Sequence, residues 1–383
     1  MVVRVAVEPR VLAWARERSG RSEAELHKRF PKLSQWEQRE RQPTLKQLER
    51  FSRATHTPIG YLFLGEPPNL EIPIPDMRTI ADTGVRHPSP NLLDTIYLCQ
   101  RRQDWYREYA QVHRQARVEL VGIANIDDPV ERAADALRLA LGLDPAARRS
   151  MRRWEDALVH LISAAEASGV MVMVSGVVAS NTQRKLDTDE FRGFALADDL
   201  APLIFINGVS SKSAQMFTIA HELAHVALGS TALSDAQPGV ISAATVERWC
   251  NRVAAELLVP AELFLREIRV DAPVPAEAQR LARVFKVSTL VIIRRMLDVH
   301  VLGREAFWHE YDLELQRLGD VTRSTTGGNY YLTQPVRLSK RFVRALVVDT
   351  LEGRTLYRDA MRLAGTSRVS TLHELGRHVG VEV

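Results

Sequence analysis

Apolar residues recur at helical spacing from the start of the chain: Val11, Leu12, Trp14 and Ala15 lie along one side of a helix that Gly20 closes. Ser22 and Glu25 have the S-x-x-E spacing of a capping box and open a second helix through Ala24, Leu26 and His27. After Pro31 come Leu33-Ser-Gln-Trp-Glu37, a polar turn from Gln38 to Gln42, and Pro43-Thr44 ahead of Leu45, Leu48 and Phe51. Helices this short bury too little alone, so residues 1–65 are predicted to pack as a bundle of short helices. From 66 to 90, Pro67, Pro68, Pro73, Pro75, Pro88 and Pro90 break any regular element, and a linker is expected there.

From Asn91 to about Ser168 the pattern is again helical, with Leu92, Leu93, Ile96 and Tyr97, then Trp105, Tyr106 and Tyr109, then Leu137, Leu139 and Leu141 as expected core positions. Trp154, Leu158, Leu161 and Ile162 mark one more amphipathic helix. The period then changes. Val170 to Val174, Phe191 to Leu196 and Pro202 to Ile206 read as three strands, and Ser210-Ser-Lys-Ser213 offers N-cap chemistry for a helix starting near Ala214. The chain is therefore expected to be α+β and predominantly helical, with one small sheet.

At 383 residues the chain is long enough for two or three folded units. No apolar run approaches the roughly 18 residues of a membrane span, the opening MVVRVAVEPR has no signal-like apolar stretch, and Cys99 and Cys250 are the only cysteines. A cytoplasmic protein without a membrane partner is expected. The net charge of +4 is unevenly spread: residues 1–65 carry 13 Lys+Arg against 7 Asp+Glu, or +6, which leaves −2 for the rest. A basic N-terminal bundle suits a polyanion, and equally a helical protein-binding module with a basic surface.

The sharpest chemical signal is His221-Glu222-Leu-Ala-His225 in the apolar helix from Ala214 to Gly229. Residues four apart on a helix differ by about 40° around the axis, so both imidazoles leave one face a turn apart, as chelation requires. Glu222, about 100° away from His221, is better placed as a general base toward water than as a ligand. Zinc takes nitrogen and oxygen ligands in a tetrahedron, and a third protein ligand is needed. The next helix offers Glu247 and Glu256, nine residues and so about 180° apart. Glu247 is selected because it shares a side with Asn251 and Ala254, small enough for close helix packing, whereas Glu256 sits one turn before Pro260. Cys250 is assigned to the helix core rather than to the ion.

Two family resemblances rest on these residues. Trp36-Glu37, Pro43-Thr44, Gln47-Leu48 and Ile59-Gly-Tyr-Leu-Phe63 resemble the helix-turn-helix of Xre/Cro-like repressors. The resemblance places Lys32, Ser34, Gln35 and Gln38 near a major groove and makes Arg39, Arg41 and Lys46 candidates for phosphate contacts. Arg39 stands where that pattern has Gly, so it must adopt a left-handed backbone at roughly 1 kcal/mol or leave the turn differently shaped. Glu190-Phe-Arg-Gly-Phe194, the H-E-x-x-H helix, Glu247 to Pro260 and the earlier Pro75-Asp-Met-Arg-Thr79 together resemble the ImmA/IrrE family of bacterial zinc metallopeptidases. The resemblance implies a zincin-like, gluzincin-type core with zinc on His221, His225 and Glu247, Glu222 as base, and the strand Leu203 to Ile206 bordering a cleft where an extended peptide adds by backbone pairing.

The expected division is a helix-turn-helix domain at 1–65, a linker at 66–90, and a metallopeptidase domain at 91–300. That domain comprises a helical lead-in at 91–168, a zincin core at 169–265 and a helical hairpin at 266–300. A partner-binding helical module at 301–383 follows a break at Gly327-Gly328. Two functions fit. One is a DNA-binding regulator whose zinc endopeptidase cleaves a repressor or other regulatory protein. The other is a non-proteolytic, autoregulating antitoxin that binds its operator DNA and a cognate toxin. A palindromic operator would call for a homodimer.

Overall fold

The computed structural model describes residues 3–76, 88–234, 245–319 and 336–382. Met77 to Thr79 of the proline-rich segment, Asp235, Pro238 and Gly239 of the stretch before Glu247, and Gly327-Gly328 with Asn329 to Tyr331 lie outside the described residues. The chain divides into two compact units: Met1–Pro73 with Ile80–Ile96, and Ile74–Thr79 with Tyr97–Val383.

The first unit holds α1 (Pro9–Arg18), α2 (Glu23–Arg29), α3 (Leu33–Glu37), α4 (Leu45–Thr55) and a 3-10 turn, Ile59–Phe63. Val11, Leu12, Leu26, Leu33, Leu48, Phe51 and Leu62 close on one another with no exposed surface, and Phe30, Trp36 and Phe51 meet at 5.5 to 6.4 Å between ring centroids. Ser22 caps α2 by accepting from Glu25 N–H. The reciprocal capping box lies elsewhere: Thr44 accepts from Gln47 N–H while the Gln47 side chain accepts from Thr44 N–H, an arrangement contributing about 1 kcal/mol. Leu45, one of the apolar positions of the sequence pattern, is 40% exposed at the first position of α4.

The second unit is predominantly helical around a four-stranded mixed sheet, so the fold class is α+β. Its first helices are α5 (Pro90–Val112, continuing from the first unit), α6 (Val130–Leu141), α7 (Pro145–Ser150) and α8 (Trp154–Ala167). Leu137 and Leu141, four apart, are buried, but Leu139 is 85% exposed. Two residues apart is half a helical turn, so the three leucines cannot share a face. The strands are β1 (Met171–Ser175), β2 (Gly193–Leu196), β3 (Leu203–Asn207) and β4 (Ala232–Ser234), in spatial order β1-β3-β2-β4. β1 runs parallel to β3, and β2 is antiparallel to both β3 and β4.

The sheet is covered on both faces, which is why β2 is buried at every position instead of alternating. Val172, Val174, Ala195, Ile204 and Ile206 join the core shared with α8 and with α9 (Lys212–Ala227). Toward the other face, Phe194 stacks on Phe205 at 5.1 Å beside Phe191, and from α5 Arg102 donates to Met173 Sδ while Gln103 donates to the carbonyls of Leu196 and Ala201.

Beyond β4 follow α10 (Thr245–Leu258), α11 (Ala261–Glu267), α12 (Val274–Phe285), α13 (Thr289–Asp298) and α14 (Arg304–Gly319). Phe285, Ile292, Phe307 and Tyr311 bring α12, α13 and α14 into the same core as α9 and α10. The described chain ends with α15 (Lys340–Leu351), α16 (Tyr357–Ala364) and α17 (Val369–His378), which pack on one another, with α15 also touching β1. No helix among the described residues is long and apolar enough to cross a membrane.

Candidate metal centre

Ser211 caps α9 by accepting from Ala214 N–H, and every residue from Gln215 to Ala227 is buried, because β2, β3, α8 and α10 surround the helix. A helix covered on all sides is apolar on all sides unless its polar groups are bonded. Gln215 Nε2 donates to the carbonyls of Gly208 and Ser210, and Thr218 Oγ1 donates to that of Ala214. The remaining polar side chains of this stretch, His221, Glu222 and His225, have no exposed surface.

The two imidazoles point together, Nε2 to Nε2 at 3.1 Å. Glu247, in the first turn of α10, comes to them from across the helix pair: its Oε2 is 3.2 Å from His221 Nε2 and its Oε1 is 3.0 Å from His225 Nε2. Ala254 and Cys250, both without exposed surface, share the α9–α10 core. Ligands at zinc's usual distances of about 2.0–2.2 Å stand roughly 3.3 Å apart in a tetrahedron, so an imidazole pair at 3.1 Å with a Glu247 oxygen 3.0 to 3.2 Å from each ring suits one such ion.

Protons explain the convergence less well than a cation does. Both Nδ1 atoms are buried without a partner among the described residues. If the rings carry their protons on Nε2, each leaves a buried acceptor orphaned; if on Nδ1, each leaves a buried donor orphaned and three sets of lone pairs meet. A divalent cation between them turns the second arrangement from repulsive to attractive. Burial raises the pKa of Glu247, but hydrogen bonds and charge from His221 and His225 outweigh it and bring the group down to about 2. Burial, with the neighbouring His221 charge, moves His225 below its ordinary value against the pull of Glu247.

Glu222 leaves the helix on a different side, toward β2 and β4. Gly193 makes room for it: a Cβ there would lie 2.8 Å from Thr218 Cγ2 and 3.0 Å from both Glu222 Oε1 and the Phe205 carbonyl. Neither carboxylate oxygen has a hydrogen-bond partner of normal geometry among the described residues. Burial first, and Glu247 second, push the Glu222 pKa well above the ordinary carboxylate range, with the nearby Ser234 hydroxyl working weakly against them. Ser234 Oγ also lies 3.3 Å from His225 Nε2. No local pattern in the sequence marks Ser234 or β4. A run of Ala-Leu-Ser carries no strand signal of its own and is fixed by its pairing with Gly193 to Ala195.

Glu256 has a different task. It forms a buried ion pair with Arg295 of α13 and accepts from the Ala261 amide at the start of α11. Glu256→Ala leaves the Arg295 guanidinium buried without its carboxylate, so the expected result is about 3–5 kcal/mol of lost stability in denaturant unfolding, with metal content unchanged. Cys250 is fully buried, and burial raises its thiol pKa well above the ordinary value.

The seven candidate DNA contacts are all in the first unit, around α3. Gln35, Gln38, Arg39, Arg41 and Lys46 are exposed, and Lys32 and Ser34 half-buried. Arg39 takes the left-handed backbone, φ 61°, and its guanidinium is held by Glu8 at 2.6 Å. Ser34 Oγ is 3.3 Å from His27 Nδ1.

One expectation about the cleft is overturned. The strand from Leu203 to Ile206 is interior, flanked by β1 and β2, so its backbone groups have no free edge. The edge strand near Glu222 is β4, and its outer side carries the chain's own segment: Leu233 N–H donates to the Pro75 carbonyl at 2.9 Å, and Asp76 bridges to Leu233 in parallel.

A search of curated proteins returned no match. Residues 338–378, which contain α15, α16 and α17, match the family described as Domain of unknown function (DUF8813). Residues 165–297, from the end of α8 to α13, match the model of the peptidase M78 family, IrrE N-terminal-like domain, and His221, Glu222, His225 and Glu247 all fall within that match.

Proposed function

We propose that the second unit is a zinc-dependent endopeptidase acting on a repressor or another regulatory protein, and that the first unit binds operator DNA. The observation that carries the enzymatic part is the convergence of His221, His225 and Glu247 beside a second carboxylate, Glu222, whose oxygens have no hydrogen-bond partner of normal geometry among the described residues. Zinc held by the three side chains would polarise the scissile carbonyl. Glu222 takes the proton of the attacking water and returns it to the leaving amine, and Gly193 leaves the space in which its carboxylate does so. The enclosure of the site excludes bulk water, which strengthens both interactions. An extended substrate has β4 as its edge and must take the place of Pro75 and Asp76 there.

The DNA-binding part rests on the exposed polar residues that follow and flank α3, together with the +6 charge of residues 1–65. Replacing Gln35 and Arg41 together by Ala is expected to weaken binding to the promoter duplex by roughly 10- to 100-fold and to flatten its salt dependence. Fluorescence anisotropy across a salt series checks this, and unchanged affinity assigns the basic bundle to a protein partner.

A second reading, a non-proteolytic autoregulating antitoxin with a cognate toxin as partner, draws on the same enclosure: His221, Glu222 and His225 have no exposed surface and the β4 edge is already paired. Cleavage assays on the wild type and on Glu222→Gln separate the two readings.

A further inference from the structure

Away from the metal centre, a cleft of about 640 Å3 opens where the first turns of α9 and α13 approach each other. Its walls include Ser211 and Ser213 from the start of α9 and Ser288 and Thr289 from the start of α13. Ser211 and Ser288 each accept from one amide in the first turn of their helix, and each helix end still carries about half a positive charge. Two such ends facing one cleft repel unless something negative lies between them. Arg192 and Arg283 add positive charge to the lining; Arg317 is bound to Glu314, which also accepts from Thr289 Oγ1, and Asp189 is the acidic residue of the lining. Ser210 also lines the cleft. It is 8% exposed, and its hydroxyl is buried with no hydrogen-bond partner among the described residues, an arrangement that costs about 1–3 kcal/mol unless a ligand meets it.

We infer that this cleft binds a phosphorylated small molecule, with the phosphate between the two helix N-termini and Ser210 and the organic part against Trp154, Leu290 and Tyr311. The volume exceeds what a bare oxyanion fills and falls in the range of small-molecule sites. The site is separate from the metal centre, and the inference does not rest on the peptidase reading. α9 joins them: Ser211 and His221 are ten residues apart, roughly 15 Å along the helix axis.

The test is calorimetric titration of the full chain with AMP, inorganic phosphate and adenosine as probes. AMP is expected to saturate one site, phosphate to compete for it more weakly, and adenosine to bind at least tenfold more weakly than AMP. Arg283→Glu, at an exposed position, is expected to weaken AMP about tenfold, and Ser210→Ala about threefold, with circular dichroism unchanged. Phosphate binding as tightly as AMP would still support the anion site and remove the organic part from the inference. Adenosine binding as tightly as AMP, no saturable binding of any probe, or an Arg283→Glu protein that binds AMP like the wild type would overturn it.

Discussion

Glu222→Gln is expected to keep its full complement of metal and to lose peptide-bond cleavage by roughly a thousandfold, the contribution of a positioned general base. Glutamine has nearly the same shape, so the pocket formed by Gly193, Thr218 and Ser234 still holds it. What disappears is the ability to accept a proton. The loss should appear in kcat with little change in KM, because Glu222 acts on the water and not on substrate binding. Cleavage of a partner protein followed by mass spectrometry provides the readout. A variant as active as the wild type would remove Glu222 from the chemistry, and an inactive wild type would favour the antitoxin reading.

Glu247→Ala is expected to have the opposite signature, losing the metal itself. Structural zinc sites total about 10–16 kcal/mol over four ligands, so one ligand corresponds to roughly 3 kcal/mol, a hundredfold or more in affinity. Glu247 holds both imidazoles at 3.0 to 3.2 Å, so its loss also leaves His221 and His225 facing each other without a counter-charge in a buried site. A chelator should lower the unfolding temperature of the wild type but not that of this variant, because mass action stabilises only a protein that binds. Glu256→Ala, at the other end of the same helix, should behave in reverse: less stable, with its metal retained.

Much of this site was legible in the chain because its parts are local. The i, i+4 histidines announce their shared helix face, and the half-turn between Glu247 and Glu256 forces a choice that packing with small residues favours one way. Parts that depend on distant pairing were not legible. β4 has no propensity of its own and exists because β2 pairs with it. Ser234 reaches the histidines only through that pairing. The interior position of β3 follows from a strand order that no local period encodes. Leu139 shows the limit of reading apolar runs without respecting the helical period. At Arg39 the residue pattern demanded a left-handed backbone from an unfavourable residue; the chain adopts it and secures the side chain on Glu8.

Elemental analysis of the purified full chain, with and without Glu247→Ala, tests the metal centre most directly. About one zinc per wild-type chain, and near none in the variant, is the predicted result. Wild-type protein that takes up no divalent metal even when zinc is supplied, or a variant that retains it, would contradict the assignment of His221, His225 and Glu247 as its ligands.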